Sequence, residues 1–194
     1  MAITRQLWAA LKALLVLTVL LGVLYPAAIL AVGLVVPGQA NGSLVEVDGK
    51  VVGSSLLGQA ADGPQWFQAR PSASDYTGDT SGGSNLGPSS EDLATAVDER
   101  TAALREANPD APEAIPPDAL TASGSGLDPH ISPAYAAYQA PRVAAARGVS
   151  LAQVQAIIAD HTQKAALGFI GEDRVNVTEL NMALETGGGA AASR

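Results

Sequence analysis

Twenty-four consecutive residues, Ala13 to Val36, carry no charge and are dominated by Leu, Val and Ala. At about 1.5 Å of rise per residue they make roughly 36 Å of helix, enough to cross a hydrocarbon core of about 30 Å with modest tilt. No later segment of the 194 residues comes close, so the sequence predicts one membrane span and one water-exposed domain. The competing reading is a cleavable signal peptide, whose apolar region usually runs about 7–15 residues. This run is longer, although Pro37-Gly38-Gln39-Ala40 just after it offers a weak cleavage context. A lipid-modified cysteine anchor is excluded, because the chain has no cysteine.

The flanks set the expected orientation. Arg5 and Lys12 precede the span and no acidic residue occurs in the first 36. The positive-inside rule then leaves residues 1–12 in the cytoplasm, 13–36 in the bilayer of the cell membrane and 37–186 outside, as a single-pass protein. The segment 187–194, rich in Gly and Ala, is read as a disordered tail. The residues after the span hold nine of the 11 basic and all 19 acidic side chains, a net charge of −10. Such a domain does not bind nucleic acid non-specifically. It can weakly concentrate cations, and a plain solvated acidic surface accounts for the same charge. Without disulfides, its core must hold it together.

Within the span, Gly22 and Pro26 predict a local kink. Ala27 and Ala31 give a small-residue face on which partner helices can approach closely, although Ala is common in any apolar helix. One span encloses no pore, so this chain transports nothing alone.

After the span, "SLVEVDGKVVGSS" reads as a hairpin about Asp48-Gly49. A loop-rich region from Gly53 to about Pro88 follows, with Trp66 and Phe67 expected as core residues beneath it. Ser89 or Ser90 is expected to cap a helix to about Asn108, with Leu93, Val97 and Leu104 on one face. Ser132-Pro133 opens a helix ending near Gly148. Ser150 with Gln153 forms a capping-box pattern for another to about His161. Asn176 with Glu179 starts a last helix that uses Val177, Leu180 and Leu184. The fold class is therefore an α+β extracytoplasmic domain, with a small sheet and three to four helices, anchored by a single N-terminal transmembrane helix.

Chemistry-bearing residue types concentrate in "TASGSGLDPHIS", Thr121 to Ser132. Ser123 or Ser125 with Asp128 and His130 are the right types for nucleophilic catalysis. The G-x-S-x-G elbow is absent, however, and residues so close on one loop do not easily form a triad. His130 and His161 are the only histidines, and no spacing advertises a zinc site. "SGSG" could present backbone N–H groups to an anion, but no G-x-x-x-x-G-K-[ST] occurs and Gly49-Lys50 sits in a hairpin turn. A purely architectural reading also works: the glycines permit positive φ, Asp128-Pro129 turns the chain, and His130 packs locally.

The succession "QANGSLV" (39–45), "VGSSLLGQ" (52–59), "RPSA" (70–73), "GGSNLGPS" (82–89), "TASGSGLDPHISP" (121–133), "RVAAARG" (142–148) and "RVNVTELNMAL" (174–184) closely resembles the KdpC family. KdpC is the C subunit of the bacterial Kdp potassium-transporting ATPase. The resemblance runs in family order from the span to about Leu184. It implies a high-affinity pump that takes up K⁺ at the expense of ATP, built with a channel-like A subunit, a P-type ATPase B subunit and a small F subunit. In that setting this chain is expected to be a non-catalytic accessory subunit, stabilising assembly and modulating the pump where the ion enters. It carries no D-K-T-G motif and no selectivity filter. The family is also described as a catalytic chaperone that raises the B subunit's affinity for ATP, with transient nucleotide contact and no tightly bound cofactor. The contact residues expected on this basis are Arg70, Asn85, Ser123, Ser125, Asp128 and His130, each of which also reads as a satisfied internal hydrogen-bonding group. The Ala/Pro-rich insert from Asn108 to Pro117 departs from the family and is expected to be functionally silent.

Overall fold

The computed structural model describes residues 2–187 apart from residue 48. The expected tail lies outside the described residues except for Gly187. The chain divides into two compact units, residues 1–44 and 45–194.

The first unit is a helix long and apolar enough to span a membrane, Ala2–Val35. It comprises α1 (Ala2–Val19), a π-helical turn (Leu20–Leu24) and α2 (Tyr25–Val35). The irregularity expected at Gly22 and Pro26 is this π-turn. Pro26 has no N–H, which would orphan the Gly22 carbonyl in a regular helix and press the proline ring against it. Widening the preceding turn relieves that contact, and the Tyr25 N–H reaches back five residues to the Leu20 carbonyl. Ala27 and Ala31 are exposed in the isolated chain. Pro37 opens a single turn, α3 (Pro37–Ala40).

The second unit is α+β. The hairpin strands β1 (Leu44–Val47) and β2 (Lys50–Ser54) pair as expected. A three-stranded antiparallel sheet of order β3-β5-β4 joins β3 (His130–Ile131), β4 (Thr162–Gln163) and β5 (Arg174–Asn176). Its register sets His130 opposite Asn176 and Thr162 opposite Val175. The helices are α4 (Glu91–Ala107), a one-turn α5 (Pro117–Leu120), α6 (Pro133–Arg147), α7 (Leu151–Asp160) and α8 (Val177–Glu185).

Three helix starts follow the local code. The Ser132 hydroxyl accepts from the Tyr135 N–H, Ser150 and Gln153 form the reciprocal capping box, and the Asn176 side chain accepts from the Glu179 N–H. Ser90 occupies the N-cap position of α4, but its side chain makes no capping bond. Along α4 only Leu104 is buried, while Leu93 and Val97 are half-covered.

Helix α6 runs through the core. Tyr135, Ala136, Ala140 and Val143 meet Val154 and Ile158 of α7, Val177 and Leu180 of α8, and Ile131 and Val175 of the sheet. Phe67 seals this core from the loop side, fully buried. Trp66 does not join it. It lies half-buried with the Arg147 guanidinium 4.4 Å above its ring, because Arg147 must also reach the Gln65 and Leu184 carbonyls. The insert from Asn108 also contributes to the core, since Asn108 is buried and Ala111 and Ile115 pack against it.

Candidate functional site

The stretch Thr121–Ser132 lies against the loop Arg70–Gly83, and polar backbone groups stitch the two together. Ser123 N–H donates to the Pro71 carbonyl, and Gly82 N–H and the Ser81 hydroxyl both donate to the Ser125 carbonyl. Ser72 and Ser74 hydroxyls converge on the Gly126 carbonyl at 2.6 and 3.3 Å. Glycine at 126 is required twice over: its φ is +69, and a Cβ there would press on Ser74 Oγ and lie 2.8 Å from the Gly82 carbonyl oxygen. At Gly58, whose N–H donates to the Leu127 carbonyl, a Cβ would meet the Asp128 carbonyl oxygen at 2.8 Å.

Beyond these glycines the chain turns through Asp128-Pro129 into β3, bringing three of the predicted contact residues together. Asp128 Oδ1 accepts from the His130 N–H at 2.9 Å and meets His130 Nδ1 at 3.2 Å, while Asp128 Oδ2 lies 3.6 Å from Arg70 Nη1. The His130 hydrogen bond is the largest influence holding the Asp128 carboxyl below its ordinary range. Its partial burial opposes that shift, and the His130 N–H and the Arg70 charge add to it. The Arg70 guanidinium also reaches the Thr121 and Ala122 carbonyls. The Tyr76 hydroxyl donates to the Arg70 carbonyl, and burial next to Asp128 pushes its pKa up to about 12.

The remaining predicted residues lie apart from this cluster. Ser123 is buried, and its hydroxyl has no hydrogen-bond partner among the described residues. The exposed Ser125 accepts from the Leu127 N–H. Asn85, exposed at φ +53, donates only to the nearby Gly83 carbonyl and serves the turn. Neither Ser123 nor Ser125 hydrogen-bonds to His130, so the residue types for hydrolysis are present without the Ser–His pair that hydrolysis needs. The N–H groups of Ser123, Gly126 and Leu127 are engaged within the loops rather than turned towards an anion. Among the described residues no group of three or more His, Asp or Glu side chains is arranged to hold a metal ion.

The cluster opens on a cleft of about 990 Å³, whose polar lining includes Arg70, Asp118, Asp128, His130, Glu172 and Arg174. Asp118 is structural: it accepts from the N–H and hydroxyl of Ser132 at 2.7 and 2.9 Å and so braces the start of α6.

A second polar system holds the loop before Arg70 in place. The Gln139 side chain pairs with both backbone groups of Gln68, and the Asn181 side chain does the same for Phe67. Arg142 donates to Asn108 Oδ1, Gln139 Oε1 and the Pro64 and Trp66 carbonyls, all within 3.0 Å. Burial lowers its pKa. These residues were not among the predicted contacts. The signals that could have found them are two arginines and a glutamine on the otherwise Ala-rich helix "AYAAYQAPRVAAARG".

The family model described as "K⁺-transporting ATPase, c chain" (KdpC) matches residues 7–186. A protein named potassium-transporting ATPase KdpC subunit from Kineococcus radiotolerans is 56% identical over 184 residues, covering 94% of each chain. The like-named protein of Sorangium cellulosum is 53% identical over 180 residues, 91% of this chain and 95% of that one. That of Mycobacterium tuberculosis is 51% identical over 185 residues, 93% and 98% respectively.

Proposed function

The chain belongs to the KdpC family of K⁺-transporting ATPase c chains, and from that premise we propose that it is a non-catalytic accessory subunit of an ATP-driven potassium uptake complex. It is anchored by the N-terminal helix and modulates the pump on the side where K⁺ enters. The observation that carries this reading is the extent of the family match, which takes in both the apolar helix and the domain from residue 7 to 186. Its partners are the channel-like A, P-type ATPase B and small F subunits, together with the bilayer, and the ion moved is K⁺.

The charge distribution supports an extracytoplasmic domain. Arg5 and Lys12 flank one end of the span, and all 19 acidic residues follow it. From outside, the domain affects ATP affinity only indirectly, by favouring one state of the whole complex, and such coupling is reciprocal. The small-residue face at Gly22, Pro26, Ala27 and Ala31 packs on partner helices. The cluster of Arg70, Asp128 and His130, with Ser123, Ser125 and Asn85 shaping the adjoining loops, forms the contact region towards another subunit.

Direct nucleotide contact, as in the chaperone description, needs the opposite topology. Ser125→Cys in this cysteine-free chain decides between the two, using a membrane-impermeant thiol reagent on intact cells. Labelling from outside is the expected result. Protection until the membrane is opened would refute the orientation and favour contact with ATP. In the assembled pump, Asp128→Ala with His130→Ala is expected to weaken assembly or K⁺-stimulated ATPase activity. Wild-type values for both would sink the assignment of the cluster.

A further inference from the structure

The helix Ala2–Val35 has 34 residues and so runs for about 51 Å, well beyond a hydrocarbon core of about 30 Å. The charge-free run begins only at Ala13, so the excess lies at the N-terminal end, in about three turns of α1. At about 100° per residue, Arg5 and Lys12 fall about 20° apart around the axis, with Trp8 about 40° from Lys12. Ile3, Leu7, Leu11 and Leu14 form a row on the roughly opposite side. This end of the helix is therefore amphipathic, with a basic–aromatic stripe and an apolar row, both exposed.

A helix longer than the bilayer is thick accommodates by tilting. Tilting lays one side of its end against the membrane and turns the other side outwards. The apolar row fixes which side that is. Ile3, Leu7 and Leu11 are 71%, 63% and 44% exposed, and leaning on this side returns them to lipid. Arg5 and Lys12 then face the headgroup layer, with Trp8 at its inner edge, where an amphipathic ring is favoured. Neither cation has a carboxylate to neutralise it within the helix, because the first acidic residue of the chain is Glu46. Phosphate is a good partner for both the arginine fork and the lysine ammonium. An acidic segment of another protein would match the charges alone. The aromatic beside them and the apolar row behind them set the stripe at the depth of the lipid phosphates.

We propose that Arg5, Trp8 and Lys12 form a recognition stripe for anionic phospholipid headgroups at the N-terminal end of the span. The inference rests on this helix being the membrane anchor, and it holds whichever leaflet that end occupies. Anionic lipids held on the stripe fix the direction in which the helix tilts.

The test follows Trp8 fluorescence in the full-length chain carrying Trp66→Phe, which leaves Trp8 as the sole tryptophan. The chain is reconstituted into equimolar phosphatidylglycerol and phosphatidylcholine vesicles, with bromine on the acyl chains of one lipid or the other. Each basic residue near an anionic surface gives about a five-fold preference at low salt, so brominated phosphatidylglycerol should be the stronger quencher. Arg5→Gln with Lys12→Gln should bring the two lipids to equal quenching, while Arg5→Lys with Lys12→Arg should keep the preference. Salt at about 0.5 M should shrink it in the parent chain. Equal quenching in the parent chain, or a preference that survives removal of both charges, would overturn the stripe and leave the anchor in place. Quenching by neither lipid would overturn anchor and stripe together. In the assembled complex, a photo-crosslinking benzoylphenylalanine at position 8 should couple to phospholipid. Coupling to a protein subunit instead would show that another chain covers the stripe, and the proposal would fall.

Discussion

Gly126→Ala tests whether the signature stretch is held by shape. An alanine must adopt φ +69, which costs about 1–2 kcal/mol for an L-residue. Its Cβ also lies 2.8 Å from the Gly82 carbonyl oxygen, and Gly82 is not free to retreat, because its N–H is bonded to the Ser125 carbonyl at 2.8 Å. The chain therefore relieves the contact by parting the two loops. That loses the bonds from Gly82 N–H and Ser81 Oγ to Ser125 and from Ser72 Oγ to Gly126. At about 0.5–1.5 kcal/mol each, towards the low end where the freed groups reach water, these add about 2 kcal/mol. The restricted unfolded chain of an alanine variant returns about 0.4–1 kcal/mol. The net expectation is a loss of about 3 kcal/mol.

Gly124→Ala is the internal control, two residues away on the same loop. Gly124 is not in the positive-φ region, and a Cβ there meets nothing within 4 Å. It should therefore be neutral or slightly stabilising. Urea unfolding of the full chain in detergent, followed by Trp66 fluorescence in a Trp8→Phe background, measures both. Equal midpoints for the two variants would refute the argument that close packing of the loops, and not glycine content as such, constrains this stretch.

Arg142→Ala should cost about 2–4 kcal/mol by the same assay, since it strands the buried Asn108 Oδ1 and removes the bonds to the Trp66 carbonyl and to Gln139 Oε1, which keeps its bond from the Gln68 N–H. Arg142→Lys should recover only part of that, because an ammonium cannot reproduce the planar fork; full recovery would argue against the geometry. Asp128 predicts an acid limb. Its carboxyl is depressed in the folded state, chiefly by the His130 hydrogen bond. Its stabilisation is thus complete above the unfolded value of about 3.9 and is lost as pH falls through the folded value. Asp128→Asn should be less stable than wild type at neutral pH, with the gap closing below about pH 4. A gap independent of pH in thermal unfolding would contradict the assignment.

What was legible in the sequence is what is encoded over three or four residues. The caps at Ser132, Ser150 and Asn176 were readable because each donor–acceptor pair closes within one turn. The 24-residue apolar run was readable because a bilayer leaves few alternatives. The three-stranded sheet was not. Strands of two or three residues are too short for alternation to register, and β3 pairs with β5 across more than 40 positions. The polar clamp was illegible for a related reason: Arg142 meets its carbonyl partners 76 and 78 residues away, and nothing near Pro64 or Trp66 announces it. Within the candidate site, the resemblance put Arg70, Asp128 and His130 among six expected contact residues, and the structure brings these three side chains together. The resemblance did not distinguish them from Ser123, which is buried, or Asn85, which serves its own turn.

The way the polar groups are used bears on the role. The Ser125 and Gly126 carbonyls and the hydroxyls of Ser72, Ser74 and Ser81 are consumed in joining two loops, and Arg70, Asp128 and His130 are bound to one another. Preorganised chemistry would instead leave a nucleophile in reach of its base and N–H donors aimed at open space. Internal satisfaction gives stiffness, and the sheet carries that stiffness onward. His130 is paired with Asn176, Asn176 caps α8 and donates to the Ser55 carbonyl, and β5 is preceded by Asp173, which accepts from Lys164 and the Ala165 N–H. The ion-pair cluster is therefore tied through one short hydrogen-bonded ribbon to the start of α8 and to the loop at Ser55. A displacement of any one of these elements is therefore passed to the others.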